Sequence, residues 1–113
     1  MQRHITLKQF RYFLAVSETA SVAGAARMIN IAQSAVTKSI QELEESLGVF
    51  LFERNSRGMV LTQEGHRFRA SARKVMAAHP YYTGFVDFGD AESYKQELER
   101  LRNELAQINP TSE

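Results

Sequence analysis

The stretch "AQSAVTKSIQELEESLG" (residues 32–48) decides the fold, because it contains one complete amphipathic helix and the signal that ends it. Its apolar side chains recur four, three and four residues apart, at Val36, Ile40, Leu43 and Leu47. This spacing places all of them on one face of a helix, which we expect to face the core. Gly48 follows directly as a C-terminal cap. The stretch therefore predicts a helix over residues 33–47.

The opposite face of this helix changes in character along its length. Its first two turns are polar and free of acidic residues, with Gln33, Ser34, Thr37, Lys38 and Gln41. Three glutamates, Glu42, Glu44 and Glu45, come only afterwards. A helix that enters a DNA major groove by its N-terminal end needs hydrogen-bonding or basic groups there and carboxylates kept away from the phosphates. The five polar residues are candidate DNA-binding residues; an ordinary solvated helix face is the alternative.

Two shorter helices are predicted before this one. Thr6 and Gln9 form a capping-box pattern ahead of apolar residues at helical spacing, which predicts a first helix over residues 7–19. Ser21 can cap a second, small-sided helix that ends near Ile29. Three short helices with a tight connection between the second and third are typical of a helix-turn-helix.

A hairpin is predicted directly after Gly48. The segment "VFLFERNSRGMVLT" contains two β-prone stretches, residues 49–54 and 59–62, around the turn-forming "NSRG". A hairpin behind a helix-turn-helix is the wing of a winged helix. Arg54 at its base and Arg57 at its tip are candidate contacts to the DNA backbone or minor groove. For Arg54, an ion pair with Glu53 or with an acidic residue of the third helix is an equal alternative.

A fourth helix is expected over residues 63–78, capped by Thr62. Its apolar side consists of Phe68, Ala72, Val75 and Met76. We expect that this side cannot pack fully on so small a domain. It would then pack against a copy of itself, which makes the helix a linker that joins a homodimer.

The rest of the chain is predicted to form an appendage to the winged domain of residues 1–62 and its linker helix. Residues 79–90 form an aromatic connector that contains Pro80, Gly84 and Gly89. It either folds back over the linker helix or docks another protein. Residues 91–109 predict a short C-terminal amphipathic helix. The apolar side chains of this helix recur at heptad spacing, and we expect three of them to add to the dimer contacts: Leu98, Leu101 and Leu105.

Composition and charge limit the classes of function. Residues 1–76 hold 11 Lys or Arg against 6 Asp or Glu, whereas residues 77–113 hold 3 against 7. The basic part favours an anionic partner. The chain has no cysteine, and its three histidines are scattered without ligand spacing. We therefore expect no enzyme, metal site or cofactor. With no membrane-spanning run or export leader in this sequence, we expect a cytoplasmic protein.

Residues from about 7 to 76 resemble the N-terminal DNA-binding domain of LysR-type transcriptional regulators. The resemblance rests on "FRYFLAV", "QSAVTKSIQELEESLG", "LFERNSRG" and "LTQEG", which together are specific to that family. It implies a mainly α fold, a winged helix-turn-helix with a linker helix, and double-stranded DNA as the partner. By the resemblance, Gln33, Ser34, Thr37 and Lys38 face the major groove, while Arg54 and Arg57 approach the backbone or minor groove.

The sequence departs from the family pattern in several places. Ala32 stands where Ser or Thr is frequent, so the third helix is expected to lack a side-chain cap. Lys38 stands where Arg is frequent, and Gly24 replaces a frequent basic residue. These changes predict fewer direct contacts between side chains and DNA. The family usually continues into a two-lobed effector-binding domain that residues 77–113 do not resemble, so we expect no small-molecule sensor and either a naturally short member or a truncated one.

Two functions follow as expectations. The first is a dimeric, sequence-specific DNA-binding regulator of transcription with two third helices in successive major grooves. The second is a protein-interaction modulator that heterodimerises with a full-length relative or holds another partner. A homodimer that shifts DNA by itself would support the first, and a shift that needs a relative would support the second.

Overall fold

The computed structural model describes residues 5–78 together with residues 99, 100 and 103. Within residues 5–78 the elements are α1 (Leu7–Thr19), α2 (Val22–Ile29), α3 (Gln33–Leu47), β1 (Phe52–Asn55), β2 (Gly58–Leu61) and α4 (Gln63–Ala77). This order confirms the predicted mainly α winged helix-turn-helix with a following helix. The predicted connector of residues 79–90 lies outside the described residues. So does the predicted C-terminal helix, apart from residues 99, 100 and 103, which are helical.

The helices begin and end at the predicted local signals. Thr6 and Gln9 form the expected capping box at α1, where the Gln9 N–H donates to Thr6 Oγ1 at 3.2 Å. Ser21 caps α2 and Thr62 caps α4, each accepting a backbone N–H with its hydroxyl. Gly48 ends α3 in the left-handed conformation, with φ of 76°. Side-chain caps satisfy N–H groups that a helix start leaves without partners, which explains why these boundaries were predictable.

The core lies around α1, which packs against α2, α3 and α4. Phe68 of α4 stacks on Phe10 of α1 with ring centroids 5.3 Å apart, and it meets the edge of Phe13 at 4.9 Å. The predicted stripe of α3 is confirmed, since Val36, Ile40 and Leu43 are buried and Leu47 packs against them. The burial of this stripe fixes how α3 is rotated about its axis, and it therefore decides which side chains of α3 face outward.

The first strand begins later than predicted, at Phe52 instead of Val49. The cause is Glu44, one turn before the end of α3. Its Oε2 accepts hydrogen bonds from the backbone N–H groups of Leu51 at 2.8 Å and Phe52 at 3.2 Å. The Leu51 carbonyl accepts the N–H of Thr62 at 3.0 Å, just before α4. The backbone around Leu51 is therefore anchored by α3 and by the start of α4, and pairing in the hairpin begins only afterwards.

The expectation that the apolar side of α4 cannot pack fully on its own domain is wrong. Phe68, Ala72 and Val75 are buried at 0, 0 and 3% exposure in the protomer's core. Met76 is half-buried against the same core. Three of the four residues expected to face a second copy are thus already covered by α1 and its neighbours. The other three expected dimer contacts lie outside the described residues: Leu98, Leu101 and Leu105.

Within the part of the chain that the structure describes, no helix is both long and apolar enough to cross a membrane.

Candidate nucleic-acid interface

The N-terminal half of α3 presents its polar face to solvent. Because Val36, Ile40 and Leu43 are buried, the residues on the other side of the helix turn outward. Exposed residues among those predicted from sequence are Gln33, Ser34, Lys38 and Gln41; Thr37 is half-buried. The amide, hydroxyl and ammonium groups of these exposed side chains are not buried in the core. They are free to present hydrogen-bond donors and acceptors to a partner at this end of the helix.

The wing presents its two predicted arginines beside α3. In the antiparallel hairpin, Arg54 pairs with Met59, and the turn between Asn55 and Gly58 contains Arg57. The Arg57 N–H donates to Asn55 Oδ1 at 2.8 Å, which shapes the tip. Both arginines are exposed. Within residues 5–78 neither makes an ion pair, so the alternative of an ion pair between Arg54 and either Glu53 or an acidic residue of α3 is not supported.

One depression brings three of the predicted residues together. It is lined on one side by Gln33 and Thr37, which lie one turn apart on α3. On the other side it is lined by Arg54 of the hairpin. The other described residues that line it are Ala20, Ser21, Val22, Asn55, Ser56, Gly58 and Met59. None of the described lining residues is acidic, so the depression is polar with a positive side.

Three polar residues of this depression were not among the predicted site residues. Ser21 begins α2, and its hydroxyl accepts the Gly24 N–H at 2.8 Å. Asn55 and Ser56 belong to the turn of the wing. Capping and turn signals identified the elements that contain these residues. Their convergence on Gln33 depends on how the hairpin packs on the helices, which periodicity does not reveal.

The wing is tied to the corner between α1 and α2. The Met59 N–H donates to the carbonyl oxygen of Ala20 at 3.1 Å. Gly58 adopts φ of +111°, a conformation that L side chains rarely adopt, and a Cβ there would collide with the same carbonyl oxygen. Ala20 itself is left-handed with φ of 56°. This close backbone approach fixes the position of Arg54 and the turn relative to the N-terminal end of α3.

Charge is graded along α3. The N-terminal end has no acidic residue in its first turn, and Ala32 makes no side-chain cap hydrogen bond, as predicted. The positive end of the helix dipole is therefore not offset by a carboxylate. Glu44, in contrast, lies three turns further on and binds backbone N–H groups near Leu51. An anion approaching the N-terminal end meets cations, amides and hydroxyls first.

Residues 5–78, 99, 100 and 103 contain no group of three or more His, Asp or Glu side chains arranged to hold a metal ion. His66 is exposed near the start of α4, and the other histidines, His4 and His79, lie outside the described residues.

Sequence comparison gives one matching family over most of the described region. The profile of the bacterial regulatory helix-turn-helix proteins of the lysR family matches residues 7–66. Among curated proteins, the HTH-type transcriptional regulator ClcR of Pseudomonas putida is 46% identical over 69 residues, which is 61% of this chain and 24% of ClcR. The HTH-type transcriptional regulator BenM of Acinetobacter baylyi is 45% identical over 71 residues, covering 63% of this chain and 23% of BenM. The chain thus spans about a quarter of the length of these relatives.

Structure comparison finds the same architecture in proteins solved with DNA. The crystal structure of a CbnR DBD–DNA complex matches with a TM-score of 0.65 and 38% identity, over 67% of this chain and 87% of that chain. The complex of the BenM DBD with benA site 1 DNA matches with a TM-score of 0.65 and 42% identity, over 67% of this chain and 88% of that chain. The winged helix-turn-helix observed in residues 5–78 is therefore similar to domains that were solved in complex with DNA.

Proposed function

Because the chain belongs to the lysR family of bacterial regulatory helix-turn-helix proteins, we propose that it is a sequence-specific regulator of transcription. In this proposal the N-terminal half of α3 reads the major groove of double-stranded DNA. A regulator of bacterial transcription acts at the chromosome, so its place of action is the cytoplasm. This role involves binding and no chemical conversion, in agreement with relatives that are transcriptional regulators.

The observation that carries the proposal is the orientation of α3. The buried stripe leaves Gln33, Ser34 and Lys38 exposed at the N-terminal end. A glutamine amide can bond both hydrogen-bonding atoms of an adenine edge, a serine hydroxyl can bond several bases, and a lysine can reach guanine acceptors. Thr37 lies on the same polar face between Ser34 and Lys38, and Gln41 extends that face by one turn toward the C-terminal end of α3. These side chains support direct recognition of base edges. Lys38 contributes a point charge, whereas an arginine would contribute a planar guanidinium with paired donors.

The wing arginines support backbone or minor-groove contacts beside the reading helix. Arg54 lines the depression next to Gln33 and Thr37, and Arg57 lies in the turn at the exposed tip. Guanidinium groups are suited to both phosphates and a narrow minor groove. The hydrogen bond between Met59 and Ala20 holds the hairpin where both arginines can act together with α3.

We further propose a homodimer that holds two copies of α3 at a fixed spacing. Two recognition helices in successive major grooves are separated by about one helical turn of DNA, roughly 34 Å. Since Phe68, Ala72 and Val75 are buried in the protomer, the dimer contact is assigned to the outer side of α4 and Met76. In the C-terminal segment it is assigned to Leu98, Leu101 and Leu105.

Replacing Lys38 or Arg57 by alanine tests the interface. We expect each change to weaken binding to a duplex selected by the wild-type protein by about 1 kcal/mol, and to lower the salt slope by roughly one charge. Fluorescence anisotropy over a series of salt concentrations measures both quantities. Lys8→Ala is the matched control, since Lys8 is an exposed cation on α1 outside the depression. An unchanged affinity and slope for either variant would remove that residue from the interface.

A further inference from the structure

The wing approaches the helices closely at Gly58, which lies against the carbonyl oxygen of Ala20. The Met59 N–H donates to the same oxygen at 3.1 Å. Gly58 has φ of +111°, and a Cβ built on it would collide with this oxygen. The absence of a side chain at this position therefore allows the hairpin to reach the Ala20 carbonyl. Gly58, Met59 and Ala20 all line the depression that Gln33 and Arg54 also line.

The corner between α1 and α2 holds the Ala20 carbonyl in place from both sides. The Ala20 N–H donates to the Val16 carbonyl at 2.8 Å. The Thr19 hydroxyl lies 2.9 Å from the carbonyl oxygens of both Ala15 and Ser21, so it can donate to either. Because these bonds fix the backbone on both sides of Ala20, we expect a larger residue at position 58 to displace the hairpin rather than the corner.

The hairpin has a second attachment at its base. Leu51, just before β1, accepts the Thr62 N–H at 3.0 Å and donates its own N–H to Glu44 at 2.8 Å. These bonds do not involve Gly58. Loss of the contact with Ala20 would therefore let the hairpin pivot about its base while its two strands stay paired.

The candidate DNA contacts of the wing lie toward the end of the hairpin that would move. Arg54 pairs with Met59, and Arg57 directly precedes Gly58 in the turn. Each strand has four residues, so at roughly 3.3 Å per residue the turn lies on the order of 10 Å from the base. A rotation about the base is therefore largest at Arg57 and changes its position relative to Gln33. Binding groups need to be held within about 0.5 Å of their productive positions, so a small rotation is sufficient to matter.

We propose that Gly58 is a positioning residue that couples the wing arginines to α3. By letting the hairpin reach the Ala20 carbonyl, it places Arg54 and Arg57 where they bind the same stretch of DNA that α3 reads. This role rests on the proposed DNA-binding function and extends it to a residue that has no side chain to contact DNA. Gly58 acts through the two arginines, so displacement of the wing makes those arginines dispensable for binding.

A double-mutant cycle between Gly58→Ala and Arg57→Ala tests the coupling. Fluorescence anisotropy measures the affinity for the duplex that the wild-type chain selects from a random pool. We expect Arg57→Ala to weaken binding about fivefold in the wild-type chain and less than about twofold in Gly58→Ala. Gly58→Ala alone should weaken binding about tenfold and lower the salt slope by roughly one to two charges. A general loss of stability would leave the cost of Arg57→Ala unchanged, because the folded molecules would still bind through Arg57.

Amide hydrogen exchange followed by nuclear magnetic resonance tests the position of the wing without DNA. We expect the Met59 N–H to exchange at least about tenfold faster in Gly58→Ala, while the amides of α3 keep their protection. Should Gly58→Ala fail to fold, Thr19→Ala disturbs the same contact from the corner, because it removes the hydroxyl that binds the neighbouring backbone. We expect Thr19→Ala to change the Met59 exchange and the cost of Arg57→Ala in the same directions.

Gly48→Ala is the matched control for Gly58→Ala. Gly48 also has a positive φ, 76°, but a Cβ there meets no atom of the described residues within 4 Å. The variant therefore introduces the backbone strain of an alanine at positive φ without a collision. We expect it to leave both the exchange of the Met59 N–H relative to α3 and the cost of Arg57→Ala as they are in wild type.

Each readout can contradict the positioning role separately. Unchanged exchange of the Met59 N–H in Gly58→Ala would show that the glycine does not hold the wing, and equal changes in Gly48→Ala would attribute the effect to backbone strain. Faster exchange with an undiminished cost of Arg57→Ala would overturn the coupling and leave the DNA-binding function standing. Equal affinity of the wild-type chain for the selected duplex and a scrambled one would contradict the DNA-reading function itself, and the positioning role with it.

Discussion

Replacing Phe68 with alanine is expected to lower the free energy of unfolding by about 4 kcal/mol. Phe68 is fully buried, stacks on Phe10 at 5.3 Å and contacts the edge of Phe13 at 4.9 Å. Truncation removes the aromatic contacts and leaves a cavity between α1 and α4 that a rigid helix pair fills only in part. Urea unfolding followed by circular dichroism measures the change. It is done at several protein concentrations, because dimerisation would add a concentration-dependent contribution.

Phe50→Ala is the matched control for Phe68, because it removes the same side chain from a site that is 74% exposed. We expect it to change the free energy of unfolding by less than about 0.5 kcal/mol. Comparing the two variants shows whether Phe68 belongs to the protomer's core or contacts a second copy. If Phe68→Ala left the unfolding free energy of the protomer unchanged and only weakened self-association, the assignment of Phe68 to the protomer's core would be wrong.

Gly65→Ala is expected to destabilise the protein by about 3 kcal/mol, at the upper end of the usual cost of overpacking. Gly65 lies in the first turn of α4, where a Cβ would collide with the carbonyl oxygen of Leu51 and approach Leu61 Cδ2 to 2.9 Å. The Leu51 carbonyl cannot move freely, since it accepts the Thr62 N–H. Alanine normally stabilises a helix by about 1 kcal/mol relative to glycine, so the expected sign is opposite to the helix propensity.

Thermal unfolding of Gly65→Ala and Ala70→Gly, compared with wild type, measures this effect. Ala70 is exposed on the same helix, and its replacement reports the helix propensity alone. We expect Ala70→Gly to cost about 1 kcal/mol. A Gly65→Ala variant at least as stable as wild type would show that the start of α4 does not pack closely on Leu51.

Local signals made the helices predictable from sequence. The capping box at Thr6, the caps at Ser21 and Thr62, and Gly48 each act on neighbouring backbone, so the residues that set a boundary are adjacent to it. The start of β1 depends instead on Glu44, which is seven residues before the first N–H it binds. A side-chain contact of that kind has no pattern in the sequence, so the strand was predicted to begin too early.

Periodicity identified which face of α4 is apolar, but it did not identify what covers that face. Phe68, Ala72 and Val75 recur at helical spacing in the same way whether they meet α1 or a second copy. The structure assigns them to the protomer's core, because Phe10 and Phe13 of α1 present aromatic rings at that position. Partner choice is a property of the packed fold, which spacing alone does not contain.

The candidate interface was predictable to the extent that it lies on one helix. The stripe that includes Val36 and Leu43 fixes which residues of α3 turn outward, so its polar end could be selected by counting. The contributions of Ser21 and Ser56 to the same depression require the packing of the wing on the corner between α1 and α2.

Selection of duplexes from a random pool by the purified chain, followed by sequencing, tests the central claim most directly. We expect one recurring sequence, present as two half-sites related by dyad symmetry and centred about one turn of DNA apart. A variant with both Gln33→Ala and Lys38→Ala should lose that preference while keeping its fold. Recovery of sequences no different from the starting pool, or of the same sequence by the variant, would contradict a reading role for the N-terminal half of α3.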